Sequence, residues 1–400
     1  MGLVELDLDL GEEERAVLDS VRKFASEVMR PIGAQLDRMT DPTDVIAPAS
    51  PLWEAYGLYR DLGIDEVRDP SGPLDPVRRA RLGAMISEEL GWGDAGLAIS
   101  FGVAGFPRMM AAVTGNPALI ERFGSAEVVG CWAITEPDHG SDMIDFENKL
   151  RSGASAKPNC IARKDGDSFV ITGQKAAWVS NGTIATAAAL FCAVDTGDGK
   201  TGSGVFLAPL DEKGVSRGRP LDKIGQRALN QGEIFFDGLR VPASHMVLGP
   251  ELYAVAADRV LCMANGGMGS CFVGLARAAL EHAIAYAKER VQGGVPIIRH
   301  QSVKARLFEM FRKVEAARSL NRRVVVHNTV SPNPQIQYAI ASKVTSTNTA
   351  FEVASGAVQI YGGNGLAREY PVEKLLRDAR ASMIEDGCND LLSLVGAERL

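Results

Sequence analysis

Two adjacent acids, Glu385 and Asp386, stand before Gly387-Cys388 in the run Met383-Ile384-Glu385-Asp386-Gly387-Cys388-Asn389-Asp390. A carboxylate desolvated in such a turn rises in pKa, as a general base for a carbon acid requires. Read alone, Asp386-Gly387 is equally a plain turn dipeptide. Ile134-Thr135-Glu136-Pro137-Asp138-His139-Gly140-Ser141-Asp142 crowds hydroxyls, acids and glycine into one loop. That composition suits a polar ligand held by backbone N–H groups and hydroxyls, and equally a surface turn. Lys175-Ala176-Ala177-Trp178-Val179-Ser180-Asn181-Gly182 places a tryptophan in a strand before an Asn-Gly turn, either as a core residue above a hairpin or as a flat wall for an aromatic cofactor. Gln359-Ile360-Tyr361-Gly362-Gly363-Asn364-Gly365 closes an apolar run with glycines, which admit a backbone or a phosphate-bearing ligand closely.

The elements that must carry these segments follow an α, β, α order. In EEERAVLDSVRKFASEVMRPI, Val17, Leu18, Val21, Phe24, Ala25, Val28 and Met29 recur at helical spacing, and Pro31 reads as the helix's end. From Cys131 to about Pro242, short β-type runs such as FVITG, AAALFCAVD, GVFLAPL and EIFFDGLRVP alternate with Gly, Asp and Asn. Long helical patterns return after Pro250. The pattern predicts an α+β chain of three units: an N-terminal helical domain over 1–126, a middle β-barrel over 127–245 and a C-terminal helical bundle over 246–400. Without βαβ alternation, a doubly wound sheet is not expected.

The 400 residues carry 43 basic and 50 acidic side chains, a net charge of −7, which excludes a basic nucleic-acid footprint. The acidic start MGLVELDLDLGEEER has no signal-peptide pattern. The longest apolar run, Ala185 to Val194, is about ten residues, short of a bilayer span. Six scattered cysteines form no CxxC, and no His lies at zinc-ligand spacing, so reduced thiols, a cytoplasmic setting and no metal are expected. No complete GxGxxG follows a strand.

Taken together and in order, ITEPDHGSD, AAWVSNG, ALNQGEIFFDGLRVPASHMVLG, GLARAALEHAIAYAKERVQGGVPIIRHQSVKARLFEM and VQIYGGNGLAREYPVEKLLRDAR resemble the acyl-CoA dehydrogenase flavoproteins. The resemblance runs from about residue 10 to the C-terminus. It implies helical, β-barrel and four-helix-bundle domains, one FAD per subunit and a homotetramer built as a dimer of dimers. The reaction it implies is α,β-desaturation of an acyl thioester on CoA or a carrier protein, with electrons passing to an electron-transferring flavoprotein. Carried over, Trp132, Ile134, Thr135, Gly140, Ser141, Trp178, Ser180 and Cys388 hold or wall the flavin. Arg290, Gln301, Gln359 and Gly363 hold the diphosphate and adenosine side across a subunit interface. Asp386 is the base that removes the α-proton, and its backbone N–H helps to stabilise the enolate oxygen.

Three departures from the family pattern matter: the base, its neighbour, and two helix and hairpin sites. The base is usually Glu, and Asp shortens its reach by roughly 1 Å, a displacement that can cost about 10²-fold in rate. Asp here resembles branches acting on cyclohexane- or cyclohexene-carboxyl thioesters, and nitroalkane oxidase. Glu385 replaces an aromatic lining residue, as a solvated neighbour, a modulator of the base's pKa or a contact for a polar substrate. Ala264-Asn265 stands where Thr-Arg or Glu-Arg is common, and Gly293 where Phe is expected. The resemblance also admits an oxidase, an eliminating lyase or a flavin-free paralogue on the same scaffold.

Overall fold

The computed structural model describes residues 4–7, 9–64, 67, 72–145, 158–197 and 201–400. Helix α1 (Glu12–Phe24) begins with three acids and ends with Arg22 and Lys23, matching charge to its dipole at both ends. It does not stop at Pro31 as the pattern predicted. A π-helical turn over Ala25–Met29 carries the chain directly into α2 (Arg30–Arg38), where Pro31 falls in the first turn. The π turn lets the Arg30 N–H bond Ala25 O five residues back, and Pro31, which has no N–H to place, follows it. Three more helices, α3 (Pro42–Val45), α4 (Pro51–Asp61) and α5 (Pro76–Gly93), complete this layer. The Asp75 carboxylate caps α5 by accepting from Val77 and Arg78 N–H at 3.0 and 3.1 Å.

The stretch Ala95–Thr114 is, contrary to expectation, long and apolar enough to cross a bilayer. It folds as two helices, α6 (Ala95–Ala104) and α7 (Phe106–Thr114), which meet at Gly105. Leu97 and Phe101 lie in the helical core, and Phe106 and Met110 pack on the sheet. Helix α8 (Pro117–Phe123) then leads to the β region.

Eight strands form one sheet: β1 (Gly130–Ala133), β2 (Ile161–Asp165), β3 (Ser168–Ser180), β4 (Ala187–Asp195), β5 (Thr201–Pro209), β6 (Val215–Arg217), β7 (Gln231–Pro242) and β8 (Met246–Leu248). Their order is β6-β7-β3-β2-β4-β5-β8, with β1 joined parallel to β4, so the ladder among the described residues has ends at β6 and β8. Strand β4 is buried on both faces. Leu190 and Cys192 face one apolar cluster, while Ala189 and Phe191 face another that includes Phe106 and Tyr253. Burial on both sides explains why AAALFCAV is continuously apolar rather than alternating.

The C-terminal helices are α9 (Tyr253–Glu289), α10 (Gln301–Val330), α11 (Ile336–Tyr361), α12 (Val372–Ser382) and α13 (Asn389–Ala397). Helix α9 crosses α5 backbone to backbone: a Cβ on Gly274 would strike Glu88 O, and one on Gly91 would strike Cys271 O. Only glycine permits that approach. Between α9 and α10 a two-stranded hairpin turns on Gly293 (φ 63°) and Gly294 (φ 82°). A phenylalanine at 293 would need a left-handed backbone, which accounts for the departure there.

Candidate active site

Loop 134–142 is anchored by a buried ion pair. Lys175 Nζ donates to Ile134 O at 3.0 Å and to Glu136 Oε1 at 2.6 Å, and both side chains are 0% exposed. Glu136 Oε1 also accepts the Cys160 N–H at 3.1 Å. A desolvated pair of this kind holds position because either partner alone would be an uncompensated buried charge. Beside it, the β3–β7 register slips between Lys175 and Val179. That bulge lets Ala176 N–H reach Thr135 O at 2.9 Å, and Trp178 stands out of the sheet with 59% of its surface exposed. The exposed indole removes the reading of Trp178 as a core residue.

The other flavin-wall candidates surround this strand. Ser180 Oγ accepts from Gln231 Nε2 at 3.3 Å. Gly140 N–H donates to Asp142. Trp132 packs its ring against Phe106 and Phe191, and its indole N–H is buried without a partner among the described residues. Ser141 Oγ accepts the Cys388 N–H at 2.9 Å, which brings the loop against the turn that carries the two acids.

That turn joins α12 to α13. Ile384 and Glu385 N–H both bond Ala381 O, at 2.9 and 3.2 Å, and Asp386 then adopts φ 50° and Gly387 φ 94°. The turn is a left-handed helix exit. A side chain on Gly387 would strike Ile144 and Leu392. The two acids have different surroundings. Glu385 Oε2 accepts from Gln226 Nε2 at 2.8 Å. Burial pushes Glu385 up to about 7, opposed by the Gln226 bond and the Lys223 charge. Burial pushes Asp386 up to about 6, opposed by the Lys343 charge. Among the described residues, neither the carboxylate nor the N–H of Asp386 is engaged in a hydrogen bond.

Gln226, Lys223 and Lys343 escaped the sequence reading. Gln226 sits at φ 49°, and its backbone N–H and side chain both bond Asp378. Lys223 donates to Leu229 O and Gln231 Oε1 at 2.7 and 2.8 Å, and burial lowers it to about 8. A lone lysine amid the small residues of IASKVTSTNT was the one signal available for Lys343. Asn265, at a departing position, is fully buried with its Oδ1 unpartnered among the described residues.

A second group forms elsewhere. Arg290, Gln359 and Gly363 line one cavity of about 630 Å³ together with Tyr286, His300 and Arg306. Gln301 is exposed at the start of α10 and does not line it. No lining residue of this cavity belongs to the flavin-wall group.

Two family models match the chain: the acyl-CoA dehydrogenase middle domain over residues 131–239 and the acyl-CoA dehydrogenase C-terminal domain over 255–400. The human mitochondrial short-chain specific acyl-CoA dehydrogenase is 29% identical over 98% of this chain and 91% of its own length. Cyclohex-1-ene-1-carbonyl-CoA dehydrogenase of Syntrophus aciditrophicus is also 29% identical, with the same coverage of both chains. The solved butyryl-CoA dehydrogenase of Megasphaera elsdenii superposes with a TM-score of 0.84, at 26% identity, over 98% of this chain and 99% of that one. A glutaryl-CoA dehydrogenase of Mycobacterium smegmatis solved with FADH2 shares the fold at 22% identity and a TM-score of 0.80, covering 98% and 95% of the two chains.

The fold and these matches define a flavoprotein oxidoreductase with FAD as its cofactor. The chain belongs to the acyl-CoA dehydrogenase family and acts on acyl-CoA. Its residues fit the cofactor. An aromatic plane stands free at Trp178, and a Cβ at Gly362 or Gly363 would meet open space beside the cavity. Arg290 faces that cavity with no carboxylate partner among the described residues, and its fork suits a diphosphate.

Proposed function

We propose that Asp386 is the catalytic base of an α,β-desaturation of a short, branched or cyclic acyl-CoA. One observation carries this reading: Asp386 holds a carboxylate and an N–H that no other described group uses, in a turn tied to the cofactor loop through Ser141. With a pKa of about 6 it is mostly ionised at neutral pH, yet basic enough to take a proton from a carbon acid. Its N–H is free to donate to the thioester oxygen and so stabilise the enolate that forms when the α-proton moves to the carboxylate. FAD, when bound, supplies the acceptor for the β-hydrogen, which leaves as hydride as the double bond forms.

Ile134, Thr135, Gly140, Ser141, Trp132, Trp178, Ser180 and Cys388 are the flavin-side residues in this reading. Arg290, Gln301, Gln359 and Gly363 hold the dinucleotide's other end across a subunit interface. In this reading one subunit's cavity completes its neighbour's cofactor site, and the active form is an oligomer, a tetramer. The reoxidant is an electron-transferring flavoprotein. We place the enzyme in the cytoplasm, in keeping with its six unpaired cysteines.

The short or cyclic acyl preference is supported by the shorter Asp base and by the two relatives compared above. Anaerobic mixing with a panel of acyl-CoAs tests the whole reading. A desaturase bleaches the flavin with a short-chain or cyclic acyl-CoA and reoxidises slowly in air. Rapid reoxidation by O₂ identifies an oxidase, and product without bleaching identifies a lyase.

A further inference from the structure

We propose that Lys343 is a positioning residue for the base: its ammonium locks the left-handed Asp386-Gly387 turn from beneath and presents the Asp386 carboxylate to the substrate. The inference rests on Asp386 as the base. Lys343 lies in α11 and is 0% exposed. Its Nζ donates to Gly387 O at 2.8 Å and to Asn389 Oδ1 at 2.8 Å. Asn389 is itself oriented, because its Nδ2 donates to Thr347 Oγ1 and Asn348 Oδ1, each at 3.0 Å, leaving the oxygen for Lys343. The turn is therefore gripped at the Gly387–Cys388 peptide, one peptide beyond the base, and at the first residue of α13.

The grip has work to do. Asp386 at φ 50° is a non-glycine residue in the left-handed region, which costs roughly 1–2 kcal/mol and persists only where surrounding bonds hold it. Ser141 fixes the turn from the loop side through Cys388 N–H, and Lys343 fixes it from the helical side. Among the described residues no carboxylate lies within ion-pairing distance of Lys343, so its charge is met by oxygen dipoles and by acids farther off. A buried ammonium without an ion pair costs stability, and an apolar residue in that helix would avoid the cost. The groups whose charge acts on it are Asp386, Glu385 and Cys388 from the turn, and Lys223 acts with it on Glu385. Burial lowers Lys343 to about 8, and the neighbouring acids oppose that fall. In return, its charge restrains the rise of Asp386.

The test is the pH dependence of flavin reduction in the FAD-loaded enzyme, measured anaerobically with butyryl-CoA. Lys343→Met should retain FAD, slow reduction about 10²-fold through misplacement of the base, and move the acidic limb of the profile up by about one pH unit. Asn389→Ala, which frees one of the two anchors and keeps the charge, should slow reduction less and leave the limb near its wild-type position. In an Asp386→Asn background, Lys343→Met should change the residual rate no further, since it acts through the missing carboxylate. Wild-type rate and limb in Lys343→Met would overturn the proposal while leaving Asp386 as the base. If Lys343→Met does not fold, an unchanged rate in Asn389→Ala overturns it instead. Near wild-type reduction by Asp386→Asn alone would overturn the base assignment itself.

Discussion

The backbone N–H of Cys388 donates to Ser141 Oγ across 2.9 Å, joining the peptide two residues beyond Asp386 to the loop that follows β1. One hydroxyl thus connects the β layer to the helical layer beside the proposed base. Cofactor position and base position are consequently not independent. Ser141→Ala should lower both FAD retention and the flavin reduction rate, the latter by roughly 5-fold, since a lost neutral hydrogen bond is worth about 1 kcal/mol. FAD content after gel filtration and anaerobic stopped-flow traces measure the two effects.

The pH profile has a worked sign. Asp386 must be ionised to accept a proton, and its pKa is pushed up to about 6. Flavin reduction at saturating butyryl-CoA should therefore fall about tenfold per pH unit below that value and level off above it. Glu385, up at about 7, titrates beside it. Glu385→Gln should simplify the profile to a single ionisation rather than abolish activity.

Both acids are held above their unfolded pKa values by burial. The folded form binds these protons more tightly than the unfolded chain, so this contribution to stability is fully present below about pH 4 and is lost as pH rises through 6 to 7. Asp386→Asn and Glu385→Gln should each stabilise the protein by on the order of 1–2 kcal/mol at pH 8, and by less at pH 5. Thermal unfolding at the two pH values reads the difference. A melting temperature lower in the variants at pH 8 would contradict the sign.

Lys175 and Glu136 form a pair with no solvent access. Lys175→Met leaves a buried carboxylate alone and should cost about 3–5 kcal/mol, with loss of FAD, because Ile134 O and loop 134–142 lose their anchor. Combining it with Glu136→Leu should recover much of the stability but not the cofactor affinity.

Arg290→Ala should weaken FAD binding roughly 10- to 100-fold, the worth of a charged hydrogen bond, without altering the acyl-CoA bleaching rate of the fully loaded enzyme. Sedimentation of the wild-type protein across a dilution series should show FAD release accompanying dissociation. A monomer that keeps its FAD and full activity would contradict the shared site.

Much of this was legible in the residues. The α, β, α order followed from helical spacing at both ends and short β runs between, and the motifs ITEPDHGSD and VQIYGGNG fall in the loop after β1 and at the end of α11. Pro31 misled because a π turn absorbs it, a rearrangement of hydrogen bonds that leaves no mark in composition. Strand β4 was legible as apolar but not as buried on two faces. Lys343, Gln226 and Lys223 were not legible, because each acts on the acid turn across more than forty residues of chain and only folding makes them neighbours. The left-handed backbone of Asp386 was likewise hidden, since its sign depends on what holds the turn from both sides.

The central claim is that Asp386 removes the proton, and the most direct measurement is anaerobic flavin reduction by butyryl-CoA in FAD-loaded Asp386→Asn beside Glu385→Gln. The account predicts that Asp386→Asn keeps its FAD, binds the thioester and loses flavin reduction by several orders of magnitude, while Glu385→Gln reduces its flavin with altered affinity or pH dependence. Asp386→Asn reducing its flavin at close to the wild-type rate, with Glu385→Gln inert, would contradict it and move the base by one residue.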